Sequence, residues 1–121
     1  MHMLSHNPAA AYRRVDLEAR IEAASAADLT RICLEQAVAA LGQALAALER
    51  APQRVPAEPL ARAQTIAVWL ASSVDPAHPL RASLVQFYGG QASALRRCAV
   101  RPDAGVITQV RGDFIELLEA A

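Results

Sequence analysis

The chain has 121 residues, enough for one domain and too few for two. Twelve basic residues balance twelve acidic ones, so the chain has neither the basic excess that drives counterion release from nucleic acid nor a polybasic grip on a membrane surface. No run approaches about twenty consecutive apolar residues, and Met1-His2-Met3-Leu4-Ser5-His6-Asn7-Pro8 has no signal-peptide pattern, so neither nucleic-acid binding nor membrane insertion is expected and the chain is placed in the cytoplasm.

Residues 1–12 carry Ser5, Asn7 and Pro8 and no periodicity. From Tyr12 to Ala24 the apolar positions Val15, Leu17 and Ile21 fit neither a helical nor a strand period, which leaves residues 1–24 as a short helix or an extended arm. Residues 25–121 read as a helical bundle. Ser25 with Asp28 three residues on resembles a capping box, and the first helix is expected from there to about Arg50, stopped by Pro52. Its apolar stripe is Leu34, Val38, Leu41, Leu45 and Leu48, with a parallel row of Ala37, Ala40, Ala44 and Ala47 that would let another helix or a bound chain come close.

Pro52, Pro56 and Pro59 mark the first connection, with Pro59 in the opening turn of the second helix, where its missing N–H costs nothing. That helix carries Leu60, Ala63, Ala67, Leu70 and Val74, with Ile66 and Trp69 along its edges, and is expected to end near Asp75. Pro76 and Pro79 bracket a turn. The third helix bears Leu80, Leu84, Phe87, Gln91, Leu95 and Cys98, and Pro102 ends it. Asp103 is the expected N-cap of the fourth, whose stripe is Ile107, Val110, Phe114, Leu117 and Ala121.

Composition agrees with the spacing. The 28 Ala and 14 Leu outweigh five Ile, a bias toward helix formers and away from strand formers. Four segments with a spacing near 3.5, joined by short Pro-containing turns, imply an all-α fold: an antiparallel up-down-up-down four-helix bundle behind an N-terminal arm or short helix.

Catalytic chemistry is sparse. Cys33 and Cys98 fall on or beside apolar stripes and read as reduced core residues, and neither has the histidine neighbours of a metal site. His78 lies between two prolines in a turn, so it cannot be the exposed mid-helix histidine of a phosphotransfer bundle. No phosphate-cradling glycine loop follows a strand. The chain reads as a non-enzyme without cofactor or metal.

Two features invite a binding role. Gly89-Gly90 interrupts the third helix at a cost of about 1 kcal/mol per glycine relative to alanine; it is either a tolerated weak point or a place where a partner backbone approaches. Trp69, Phe87 and Tyr88 lie on consecutive helices, where packing into the core is the ordinary expectation and a groove for an apolar segment is the alternative.

Ala11-Tyr12-Arg13-Arg14-Val15, then Ala24-Ser25 followed by Leu29, resembles the start of the flagellar export chaperone FliS family. The resemblance continues through Arg31–Ala37, Ile66–Asp75 and Leu84-Val85-Gln86-Phe87-Tyr88, in the family's order. Leu34, Ala26 and Gln36 stand where the family usually has Tyr, Pro and Gly, and Phe114 loosely replaces a late Trp, the pattern of a distant member. The resemblance implies a cytoplasmic chaperone that binds the C-terminal segment of flagellin, prevents premature polymerisation and presents the subunit to the export gate. By position, Ile66, Leu70, Leu84 and Tyr88 would line or support the partner groove, with Gly89 and Gly90 beside them. Tyr12 and Val15 would belong to the family's movable arm. The rival reading is a helical structural or regulatory module, such as a homodimer, with no export role.

Overall fold

The computed structural model describes Arg14 and residues 26–120. Ser25, Tyr12 and Val15, with the rest of the expected arm, lie outside the described residues. Four helices make up the described part and no strand occurs in it: α1 (Ala26–Arg50), α2 (Ala57–Ser72), α3 (Arg81–Val100) and α4 (Ala104–Ala120). The chain divides into two compact units, Met1–Ile32 and Cys33–Ala121. The packing that follows is that of the second.

Its core is a single cluster to which all four helices contribute. From α1 come Leu34, Ala37, Leu41, Ala44 and Leu48, a 3-4-3-4 spacing in which leucine and alanine alternate, with Ala40 fully buried beside them. α2 repeats the 3-4-3 spacing with Leu60, Ala63, Ala67 and Leu70, two alanines flanked by leucines. α4 supplies the bulk opposite these small residues, Ile107, Val110 and Phe114, and α3 adds Tyr88, Ala92, Leu95 and Cys98. Small side chains bring helix axes close, and large ones fill the space between. The buried face of α1 thus runs between the two rows seen in the sequence: Val38 and Leu45 are only half-buried, while Ala37, Ala40 and Ala44 are sealed.

By length and composition alone the stretch Ala27–Arg50 suffices to cross a membrane, a test that the core helix of a folded domain also passes. Within Cys33–Arg50 the apolar residues responsible are those of the core seam, whereas Glu35, Gln43 and Glu49 are exposed. That asymmetry is the mark of a core helix.

Helix ends follow the residues expected to set them, with one shift. Pro56 stands at the N-cap of α2 and Pro59 in its first turn, where neither ring removes a helical hydrogen bond. α2 stops at Ser72, three residues short of Asp75, because the Ser73 N–H turns back to the Leu70 carbonyl at 3.3 Å and the Ser72 hydroxyl donates to the Trp69 carbonyl at 3.0 Å. In the following turn Asp75 Oδ1 accepts the Ala77 N–H at 2.8 Å and His78 Nδ1 accepts the Leu80 N–H at 3.0 Å. Asp103 caps α4 as expected, its Oδ1 accepting the Val106 N–H at 3.2 Å.

Three polar links tie helices together. Arg62 on α2 donates to Gln43 on α1 and pairs with Glu58 one turn back. The Arg111 guanidinium of α4 reaches the Val38 carbonyl of α1 at 3.2 Å. Between α3 and α4, the Gln91 amide donates to Asp113 Oδ2 at 2.8 Å while Gln109 holds the other carboxylate oxygen at 3.0 Å.

Candidate functional site

The expected partner-binding residues of α2 and α3 lie in or against the apolar cluster at different depths. Leu70 and Tyr88 are buried within it, whereas Ile66 and Leu84 are half-buried and pack against it. Leu70 and Tyr88 can support a groove from beneath; Ile66 and Leu84 present edges that a second chain can still cover. Phe87 joins this flank to the centre, its ring meeting Tyr88 edge-on at 5.5 Å and Phe114 at 6.3 Å.

Gly89 and Gly90 do not interrupt α3, which runs unbroken from Arg81 to Val100. The propensity cost of about 1 kcal/mol per glycine is offset by burial of Tyr88, Gln91, Ala92, Leu95 and Cys98 around them. A Cβ built at either glycine meets no atom within 4 Å. No neighbouring helix therefore demands glycine there, and the backbone of mid-α3 lies open along its outer side.

Two further expectations are corrected. Trp69 is 41% exposed instead of being packed in the core, because Leu70 takes the inward position and the next residue back turns about 100° away around the helix. Val68 beside it is 53% exposed. Leu80, placed on the third stripe by its spacing, is the N-cap residue of α3 and is 60% exposed.

Burial pushes the thiols of Cys33 and Cys98 up from their ordinary value, and does the same to the Tyr88 phenol. Both cysteines are free, and Cys98 Sγ lies 4.0 Å from the Asp103 carbonyl. Protonated, shielded thiols are poor nucleophiles. Among the described residues no group of three His, Cys, Asp or Glu side chains is arranged to hold a metal ion, and His78 sits exposed in its turn.

Sequence reasoning placed Gln91 on the third apolar stripe but missed its partner, Asp113, 22 residues away. A lone amide within an apolar row was the available signal, since a buried amide must find a partner.

What remains is a non-reactive apolar flank with an open stretch of helix backbone, suited to holding a polypeptide by area burial. The chain matches the family model described as flagellar protein FliS over residues 8–120. No curated protein and no solved structure matches it.

Proposed function

Because this chain belongs to the FliS family of flagellar export chaperones, we propose that it holds the C-terminal segment of flagellin along the α2–α3 flank. So held, the segment cannot enter a filament in the cytoplasm, and the subunit is presented to the export gate unpolymerised. Ile66 and Leu84 would touch the segment, Leu70 and Tyr88 would support it from beneath, and Gly89 and Gly90 would admit its backbone. Tyr12 and Val15 of the arm, residues 1–24, belong to the same binding set.

The observation that carries this reading is the glycine pair. An unbroken helix bears two costly residues that its own packing does not require. Close approach of a bound chain gives them a purpose.

The reading also takes the four helices as an up-down-up-down antiparallel bundle over residues 25–121. Support comes from the pairs Phe87–Phe114, Gln91–Asp113 and Cys98–Asp103, in which numbers broadly fall along α4 as they rise along α3. A groove between antiparallel neighbours keeps one depth along its length, as an extended or helical ligand needs.

Calorimetric titration with intact flagellin and with flagellin lacking its C-terminal segment tests the proposal. Binding should vanish with the segment and change little with salt, since no charged side chain is assigned to the groove. Replacing both glycines by alanine should stabilise the free protein by up to about 2 kcal/mol and weaken flagellin binding. A double variant that binds as the parent does removes the glycines from the site. Equal binding of truncated flagellin removes the C-terminal segment.

A further inference from the structure

α3 and the loops around it hold an uneven share of charge. From Pro76 to Pro102 there is no acidic residue, yet Arg81, Arg96, Arg97 and Arg101 all lie there, in a chain whose net charge is zero. Arg97 lies in the last turn of α3, Arg96 just before it and Arg101 just after the helix. A cation in a helix's last turn complements the exposed carbonyls, which accounts for Arg97. Arg101 lies beyond the last helical residue, in extended backbone. Neither guanidinium has a carboxylate partner among the described residues, and both are exposed.

Beside them is an apolar surface. A shallow cleft of about 520 Å³ opens at the α3–α4 turn, lined by Arg97, Cys98, Val100, Arg101, Pro102 and Val106. Val100 is 84% exposed, more than Val68, Trp69 or Leu80. Asp103 also borders the cleft, but one of its oxygens accepts the Val106 N–H as the cap of α4, so it does not neutralise the arginines by pairing. Exposed valine between unpaired cations is costly for a solvated end and complementary to a ligand that combines aliphatic carbon with carboxylate.

We propose that the cleft at the α3–α4 turn docks an acidic segment of a second protein, with one aliphatic side chain over Val100 and flanking carboxylates on Arg97 and Arg101. Of this chain's own acidic–aliphatic runs, Glu116-Leu117-Leu118-Glu119 lies in α4, where both leucines already pack against the core, and Asp16-Leu17-Glu18 lies outside the described residues; occupation by a second copy is an outcome of the experiment below. The cleft is separate from the flank assigned to flagellin. Leu84 and Val100 are 16 residues apart on one helix, about 24 Å at 1.5 Å per residue. Both ligands can therefore be held together.

The probe is a fluorescent acetylated peptide, Asp-Leu-Glu-Asp-Leu-Glu, titrated into the full chain by polarisation. Saturable binding is expected, weakening several-fold between about 0.05 M and about 0.5 M salt as exposed charges are screened. Arg97→Glu with Arg101→Glu should weaken it at least tenfold and Val100→Ser at least threefold. Arg81→Glu, at the far end of α3, should leave it unchanged. The Gly89→Ala, Gly90→Ala protein should bind the peptide as the parent does, which separates this site from the flagellin groove. Helical circular dichroism of each variant checks folding. No saturable binding, or binding indifferent to both Val100→Ser and the arginine reversals, overturns the proposal. So does equal competition by the Asn/Gln version of the peptide. Tighter competition by an oligonucleotide, insensitive to Val100→Ser, makes the patch a general anion site instead. Concentration-dependent self-association abolished by the same variants assigns the cleft to a second copy, against the proposal.

Discussion

The inner seam of α1 and the outer flank of α2 and α3 draw on the same apolar alphabet and use it oppositely. Along the seam, Ala37, Ala40, Leu41 and Ala44 have no exposed surface and share one buried cluster with Ile107 and Phe114. Away from the seam, on α2 and α3, Val68 and Trp69 stand in solvent, Ile66 and Leu84 are half-covered, and two glycines leave open space. The seam has no capacity left for a ligand, so the proposed binding role draws on other surface than the seam, and each is open to substitution separately.

The largest effect is expected at the centre of the seam. Phe114→Ala removes the bulkiest fully buried side chain and should cost about 3–5 kcal/mol, in the range for buried aromatic truncation. Urea unfolding followed by circular dichroism measures it; a loss under 1 kcal/mol would mean the seam collapses readily and is not rigidly packed. The opposite change probes the same place. Ala40→Leu should cost about 1–3 kcal/mol by overpacking, while Ala39→Leu, one residue away on an exposed position, should stay within about 0.5 kcal/mol. Equal effects at the two sites would erase the distinction between the faces.

Much of this architecture was legible in the residues and some was not, for reasons the seam itself shows. Proline at 52, 56, 59 and 102 and the carboxylate of Asp103 act locally, so the helix ends they set could be read one residue at a time. The buried face of α1 could not. The leucine row and the alanine row have the same period, and alanine contrasts too weakly with either environment to say which row turns inward. The answer lies between them, decided by the partners Ile107, Val110 and Phe114 from α4. Trp69 beside Leu70 poses the same ambiguity, since both count as apolar and only packing chooses between them. For the candidate site, Leu84-Val85-Gln86-Phe87-Tyr88 could be singled out from the sequence, but the open space around Gly89 and Gly90 is a property of neighbouring helices. Gln91–Asp113 is likewise a contact between elements, invisible to any local pattern.

A smaller effect should appear in alkali. Cys33 and Cys98 are thiols that burial holds protonated beyond their ordinary value of 9.0. As pH rises past that point, the unfolded chain releases these protons first and the folded chain keeps them. The unfolded state then binds fewer protons than the native state, and the slope of stability against pH is negative. Stability should be unaffected by the thiols below about pH 8 and decline from about pH 9 upward, until the folded thiols also ionise. Urea unfolding across that range should show a shallower decline in Cys98→Ala than in the parent. Native thiols that react with a disulfide reagent as fast as those of the urea-unfolded chain would show that they are not shielded at all.

The smallest change in stability is expected where the flank is most open. Val68 is 53% exposed, so Val68→Gln gives up little buried area and should shift stability by no more than about 0.5 kcal/mol, the usual bound for surface positions. Glutamine keeps helix propensity close to that of the better helix formers, so backbone effects do not mask the result. The same substitution sharpens the contrast between the faces when unfolding is followed at several protein concentrations. If the flank is free until a ligand arrives, the parent and Val68→Gln should both unfold independently of concentration. If a second copy covers it, the parent's stability should rise with concentration by mass action, and Val68→Gln should reduce that rise. The second outcome would make this exposed face of α2 an occupied one.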